Sequence, residues 1–162
     1  MSALPWLAGW FEARGCIIIN CYESKHAKTG RKIRRDQFLV AICVPDKVGA
    51  FLVSTFGGGL RSHSRRLKYG ESTREWRAYS DEAAAFLKAL EPHVKLRRPE
   101  FEAAFLFWKT MHTRKRGFKV APEVIRARIV AYDAFRAARI RRANYAQSRR
   151  YSKELRKASG EA

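Results

Sequence analysis

The sequence predicts an α+β domain with the element order α-β-β-α-β-β-α, extended at its C-terminus by a basic helical segment. Three observations carry that prediction. Residues 16–24, "CIIINCYES", and 33–44, "IRRDQFLVAICV", are β-rich runs, and Phe38, Val40, Ile42 and Val44 alternate as a core face. Two further strand-like runs, 60–69 and 72–80, flank a turn at Gly70-Glu71. Helical patterns stand before, between and after these pairs, so the four strands fit one antiparallel sheet with helices on one face.

Each element has its own local signals. Residues 2–14 read as a helix, with Ser2 as N-cap and Pro5 tolerated in the first turn, ended by Gly15. Pro5, Gly9 and Ala13 recur every four residues, a seam of small side chains that lets a second helix, or the domain's own sheet, approach closely. "PDKVGAFLVSTF" is a short helix capped near Asp46 and stopped by Gly57-Gly58-Gly59. "SDEAAAFLKALEPHV" takes Ser80 or Asp81 as its cap, and "RRPEFEAAFLFWKTMH" is strongly apolar. The last helix starts at "PEVIRARIVAYDAF". The core is read as residues 1–120 and the basic extension as 121–162, either a continuing helix or a disordered arm whose cations add a phosphate contact.

Composition narrows the function. The 162 residues are 46% hydrophobic, enough for a packed core, and no run of about 18 apolar residues suggests a membrane span. Glu12 and Arg14 interrupt the first apolar segment, which argues against a signal peptide and for an intracellular protein, cytoplasmic, organellar or phage-encoded. Cys16, Cys21 and Cys43 lack C-x-x-C spacing and read as buried free thiols. His26, His63, His93 and His112 are too scattered for a metal cluster.

Thirty-four Lys and Arg against fifteen Asp and Glu give a net charge of +19, the signature of a polyanionic partner. If Ile17, Ile19 and Cys21 face the core, then Asn20, Tyr22 and Ser24 face outward, joined by Arg35 and Gln37 of the second strand. The expected nucleic-acid contacts there also include Lys25 and Arg34. The second pair offers Arg61, His63, Arg65, Arg66, Lys68, Arg74, Arg77 and Tyr79. Such side chains on a twisted ribbon read base edges in a major groove.

"LAGWFEARG", Leu7 to Gly15, resembles the signature of the LAGLIDADG homing endonucleases. The resemblance runs on through the element order and "REWRAYSDEAAAFLKALEPHVKLRRPEFEAAF", covering most of residues 3–112. It implies signature helices packed together across a two-fold axis, here through Pro5, Trp6, Gly9, Trp10 and Ala13. One motif implies a homodimer, with a sheet saddle over a long double-stranded DNA site. It also implies an acidic residue before the last glycine, holding Mg²⁺ at the scissile phosphate. In this chain that residue is Arg14, which cannot ligate a cation. Glu12 matches the motif's earlier acid, Arg97 the supporting basic residue, and Asp46 the polar residue after the second strand, the remaining candidate metal ligand. The expectation is a DNA binder with lost or strongly impaired cleavage and no cofactor. The alternatives are an active endonuclease using Mg²⁺ through Asp46 or Glu12, and an RNA-binding intron maturase.

Overall fold

A computed structural model describes residues 3–25, 30, 32–62, 73–111 and 120–158, with the backbone alone for 21–25, 32–35 and 142–158. The described elements are α1 (Leu4–Arg14), β1 (Cys16–Lys25), β2 (Lys32–Pro45), α2 (Asp46–Phe56), β3 (Gly59–Ser62), β4 (Thr73–Tyr79), α3 (Ser80–Leu90), a 3₁₀ turn (Glu91–His93), α4 (Arg98–Met111) and α5 (Pro122–Ala158). The α+β class, the strand-and-helix order and the single antiparallel sheet are as expected. The sheet order is β1-β2-β4-β3, which places β2 and β4 at its centre and leaves β1 and β3 as its edges.

Alternation along the strands builds the inner face. Ile17 and Ile19, then Phe38, Val40, Ile42 and Val44, then Trp76 and Ala78 are all buried, and they form one core with Leu7 and Phe11 of α1, Leu52 of α2, Phe86 and Leu87 of α3 and Phe101 and Phe107 of α4. The aromatic centre is ordered by edge-on contacts, with Phe11 5.3 Å from Phe86 and 5.9 Å from Phe101 between ring centroids. Ala131 and Phe135 of α5 join this same core, and Ala138 is buried beside them. The first half of α5 is thus an integral wall of the domain.

Two glycines are required by close approach. A Cβ on Gly15 would stand 2.1 Å from the Phe11 ring, so the residue after α1 must leave room for that core aromatic; its φ of −78° is ordinary. Gly58 has φ +77°, and a Cβ there would meet the Arg77 carbonyl oxygen at 2.4 Å.

Four local readings are corrected. The helix start at Ser2 lies outside the described residues, and the residue at the N-cap is Ala3, with no side-chain cap. Neither Ser80 nor Asp81 caps α3: Ser80 is itself the first helical residue, with φ +47°, and the Asp81 carboxylate accepts the Trp108 indole N–H at 2.9 Å. Asp46 is the first helical residue of α2 and not its cap, the N-cap being Pro45. Of the thiols read as buried, Cys16 is exposed and Cys43 half-buried, because they alternate with the core residues Ile17, Ile42 and Val44. No helix among the described residues is long and apolar enough to cross a membrane.

Candidate nucleic-acid interface

The strand residues that alternate with the core make the outer face of the sheet. Its described members are Cys16, Ile18 and Asn20 on β1, Gln37, Leu39, Ala41 and Cys43 on β2, Glu75, Arg77 and Tyr79 on β4, and Arg61 on β3. Leu39 and Ala41 are only 4% and 7% exposed, so the centre of the face is an apolar floor. Sequence reasoning named the polar members of the face and missed that floor, although the unbroken apolar run from Phe38 to Val44 carried the signal.

Around the floor the polar side chains are already organised. Asn20 donates to Gln37 across the β1–β2 ladder at 3.4 Å, and Arg61 donates to the Tyr79 hydroxyl at 3.2 Å. The Arg77 guanidinium pairs with Glu75 on its own strand, and that hydrogen bond raises its pKa, securing the charge. Paired this way, Arg61 and Arg77 lose less rotational freedom when they meet a ligand. Arg77→Ala should therefore relax discrimination at one base position by about 1–3 kcal/mol. Affinities for single-base variants of a bound duplex check this; equal weakening on every duplex would put Arg77 on a phosphate instead.

Arg74 departs from its expected place. It shares the parity of Trp76 and Ala78, so it leaves the outer face and pairs with Asp46 at the start of α2, 3.1 Å away. The backbones of Tyr22, Ser24, Lys25, Arg34 and Arg35 lie in the β1–β2 ladder, with Tyr22 opposite Arg35 and Ser24 opposite Ile33. Their side chains lie outside the described residues, as do His63, Arg65, Arg66 and Lys68 in full.

The end of α1 is tied down by a reciprocal clamp to the segment before α4. One Glu12 carboxylate oxygen accepts the backbone N–H groups of Lys95, Leu96 and Arg97, at 2.9, 2.6 and 3.2 Å. In return the Arg97 guanidinium donates to the carbonyls of Phe11 at 3.0 Å and Gly15 at 2.7 Å, carbonyls at the α1 terminus. Arg97 also pairs with Glu100, stands 4.9 Å from the Phe11 ring centre, and is 2% exposed. Its expected role beside a phosphate is thereby corrected. Arg97 is an interior cap, because the carbonyls it serves converge inside the domain.

Arg14 has no such partner in the interior. It is the exposed last residue of α1, with its guanidinium carbon 5.7 Å from the Trp10 ring centre. Trp10 in turn donates its indole N–H to the Cys43 carbonyl on β2 at 3.2 Å. Burial, with the Glu75 carboxylate and Cys16 adding, pushes the neighbouring Cys43 thiol up and keeps it neutral. On the same helix Pro5, Trp6, Gly9 and Ala13 are exposed, opposite the buried Leu7, Ala8 and Phe11.

This arrangement matches solved proteins. I-CvuI, a homing endonuclease solved with its DNA target in the presence of calcium, aligns over 81% of this chain and 78% of its own, at TM-score 0.55 and 18% identity. The homing endonuclease I-TnaI aligns over 81% of this chain and 86% of its own, at TM-score 0.54 and 18% identity. The I-SmaMI LAGLIDADG homing endonuclease bound to cleaved DNA aligns at TM-score 0.57 and 16% identity, over 78% of this chain but 42% of its own. The chain has the LAGLIDADG fold. No protein-family model and no curated protein sequence matches it.

Within this LAGLIDADG fold the side chains expected to hold a divalent metal do not fit one. Arg14 is a fixed cation with donors only. Glu12 commits one oxygen to three amides, and Asp46 is held by Arg74. Among the described residues no three His, Cys, Asp or Glu side chains come together as a ligand set.

Proposed function

We propose that this protein binds a long, specific double-stranded DNA site as a homodimer, seats the outer sheet face in the major groove, and has lost or nearly lost metal-dependent cleavage. The observation that carries this reading is Arg14, an exposed guanidinium at the terminus of α1 where a cleaving site needs a carboxylate. The net charge of +19 supplies the attraction, and Arg61 and Arg77 supply oriented forks on the groove-facing side. The solved relatives named above include DNA complexes, which supports duplex DNA as the partner.

Selection of bound duplexes from a random pool, followed by incubation with Mg²⁺ or Mn²⁺, tests the proposal. The wild type should bind and leave its duplex uncut, while Arg14→Asp or Arg14→Glu gains nicking. Cleavage by the wild type would refute the loss of activity and point to a partner-chain carboxylate or to Asp46. Preference for structured intron RNA over every duplex would replace the DNA reading with a maturase role.

The dimer reading rests on α1. This chain spans less than half of I-SmaMI, as one half of a two-fold assembly would. Pro5, Gly9 and Ala13 form an exposed strip beside Trp6, which is 51% exposed and 4.9 Å from Trp10 between ring centroids. Nothing lies within 4 Å of a Cβ built on Gly9, so a side chain there is harmless to the single chain. Gly9→Leu should keep or raise the melting temperature, since leucine is the better helix former by about 0.5–1 kcal/mol. It should abolish the dimer in sedimentation velocity. An unaltered dimer would remove α1 from the interface.

A further inference from the structure

The donor set that rejects a metal offers something in its place. We propose that the Arg14 guanidinium is a built-in cation that takes the metal's position against the phosphodiester backbone, so that duplex binding at the end of α1 is independent of divalent ions. The inference rests on the duplex-binding reading above and adds how the phosphates are neutralised there.

Four observations carry it. Arg14 is exposed and stands at the helix terminus, at the same end of the sheet as Cys43, an outer-face residue. It is held: its guanidinium lies against Trp10, and Trp10 is hydrogen-bonded to β2, so the cation is positioned by an anchored aromatic platform. The two carboxylates expected as metal ligands are engaged elsewhere, Glu12 by three amides before α4 and Asp46 by Arg74. Two backbone carbonyls at the α1 terminus, those of Phe11 and Gly15, are likewise turned to Arg97. Arg14 presents there an exposed planar fork of N–H donors, whose geometry suits two phosphate oxygens at once. A metal bridging protein carboxylate and phosphate must be recruited from solution; a guanidinium is already covalently in place.

The test compares affinity for a selected duplex by fluorescence anisotropy, in EDTA and in Ca²⁺ at matched ionic strength, for the wild type, Arg14→Lys and Arg14→Ala. The wild type should bind equally in both media, within about twofold. Arg14→Ala should bind about ten- to a hundredfold more weakly in EDTA, the loss of one charge-assisted phosphate contact. Arg14→Lys, keeping the charge without the fork, should fall between. Because Arg14 is exposed, circular dichroism melts of all three should coincide. Wild-type binding that improves tenfold or more on adding Ca²⁺ overturns the inference, as does an Arg14→Ala protein that binds like the wild type. Either result leaves duplex binding itself standing. A wild type that binds no duplex in either medium overturns both.

Discussion

Arg97→Met should destabilise the protein by about 3–5 kcal/mol, the cost of removing one partner from a buried, hydrogen-bonded ion pair. Arg97 and Glu100 are each 2% exposed at the side chain, so the carboxylate left behind has little water to turn to. The same substitution strips the Arg97 donors from the Phe11 and Gly15 carbonyls. Against a total stability of about 5–15 kcal/mol, such a loss is a large fraction. It should lower the melting temperature by roughly 6–20 °C for a chain of this size. Chemical denaturation of the single variant and of Arg97→Met with Glu100→Leu separates the two parts. The double variant should recover much of the loss, because an apolar pair needs no desolvation of charge. A single-variant loss below about 1 kcal/mol would place Arg97 at the surface and dissolve the clamp.

Affinity for duplex should fall by about four-thousandfold to a millionfold between 50 and 200 mM salt, with a log–log slope of roughly −6 to −10. The estimate follows from the neutralisation of about that many phosphates by a chain of net charge +19. Part of that slope should come from the far half of α5. Residues 139–158 contain eight Lys and Arg against Glu154 alone, on backbone that continues as helix to Ala158. Replacing Arg149 and Arg150 together by Gln should flatten the slope by up to about 1.8 if both meet phosphates. Anisotropy titrations over a salt series measure both quantities. A flat response in the wild type would remove the sheet face from the interface.

The elements legible in the sequence were those with local causes. Phe38, Val40, Ile42 and Val44 alternate in sequence and are buried in the fold, because a pleated strand forces that alternation. Gly15 and the Gly57-Gly58 stop were legible for similar reasons. The role of Arg97 was not, nor were the amides that hold Glu12, since each depends on a partner more than eighty positions away. "KLRR" reads as surface charge until the carbonyls of α1 are found beneath it. Arg74 was misplaced for a subtler reason: it lies where β4 meets the head of α2, and Asp46 draws it to the helix side. Asp36 was overlooked altogether. It is a β2 acid closed off by Arg128, which also donates to the Thr110 carbonyl and so fastens α5 to both sheet and α4. No spacing in the sequence links positions 36 and 128.

The clamp between Glu12 and Arg97 has an evolutionary consequence. It fixes the terminus of α1 by contacts that make no use of the side chain at position 14, so the scaffold's integrity and the chemistry at its centre are separately inherited. A lineage built this way can exchange the residue at position 14, acid for base, without first finding a second mutation to keep the helix in place. On the proposed reading, gain and loss of cutting lie a few nucleotide changes apart, on a protein that stays folded throughout the passage.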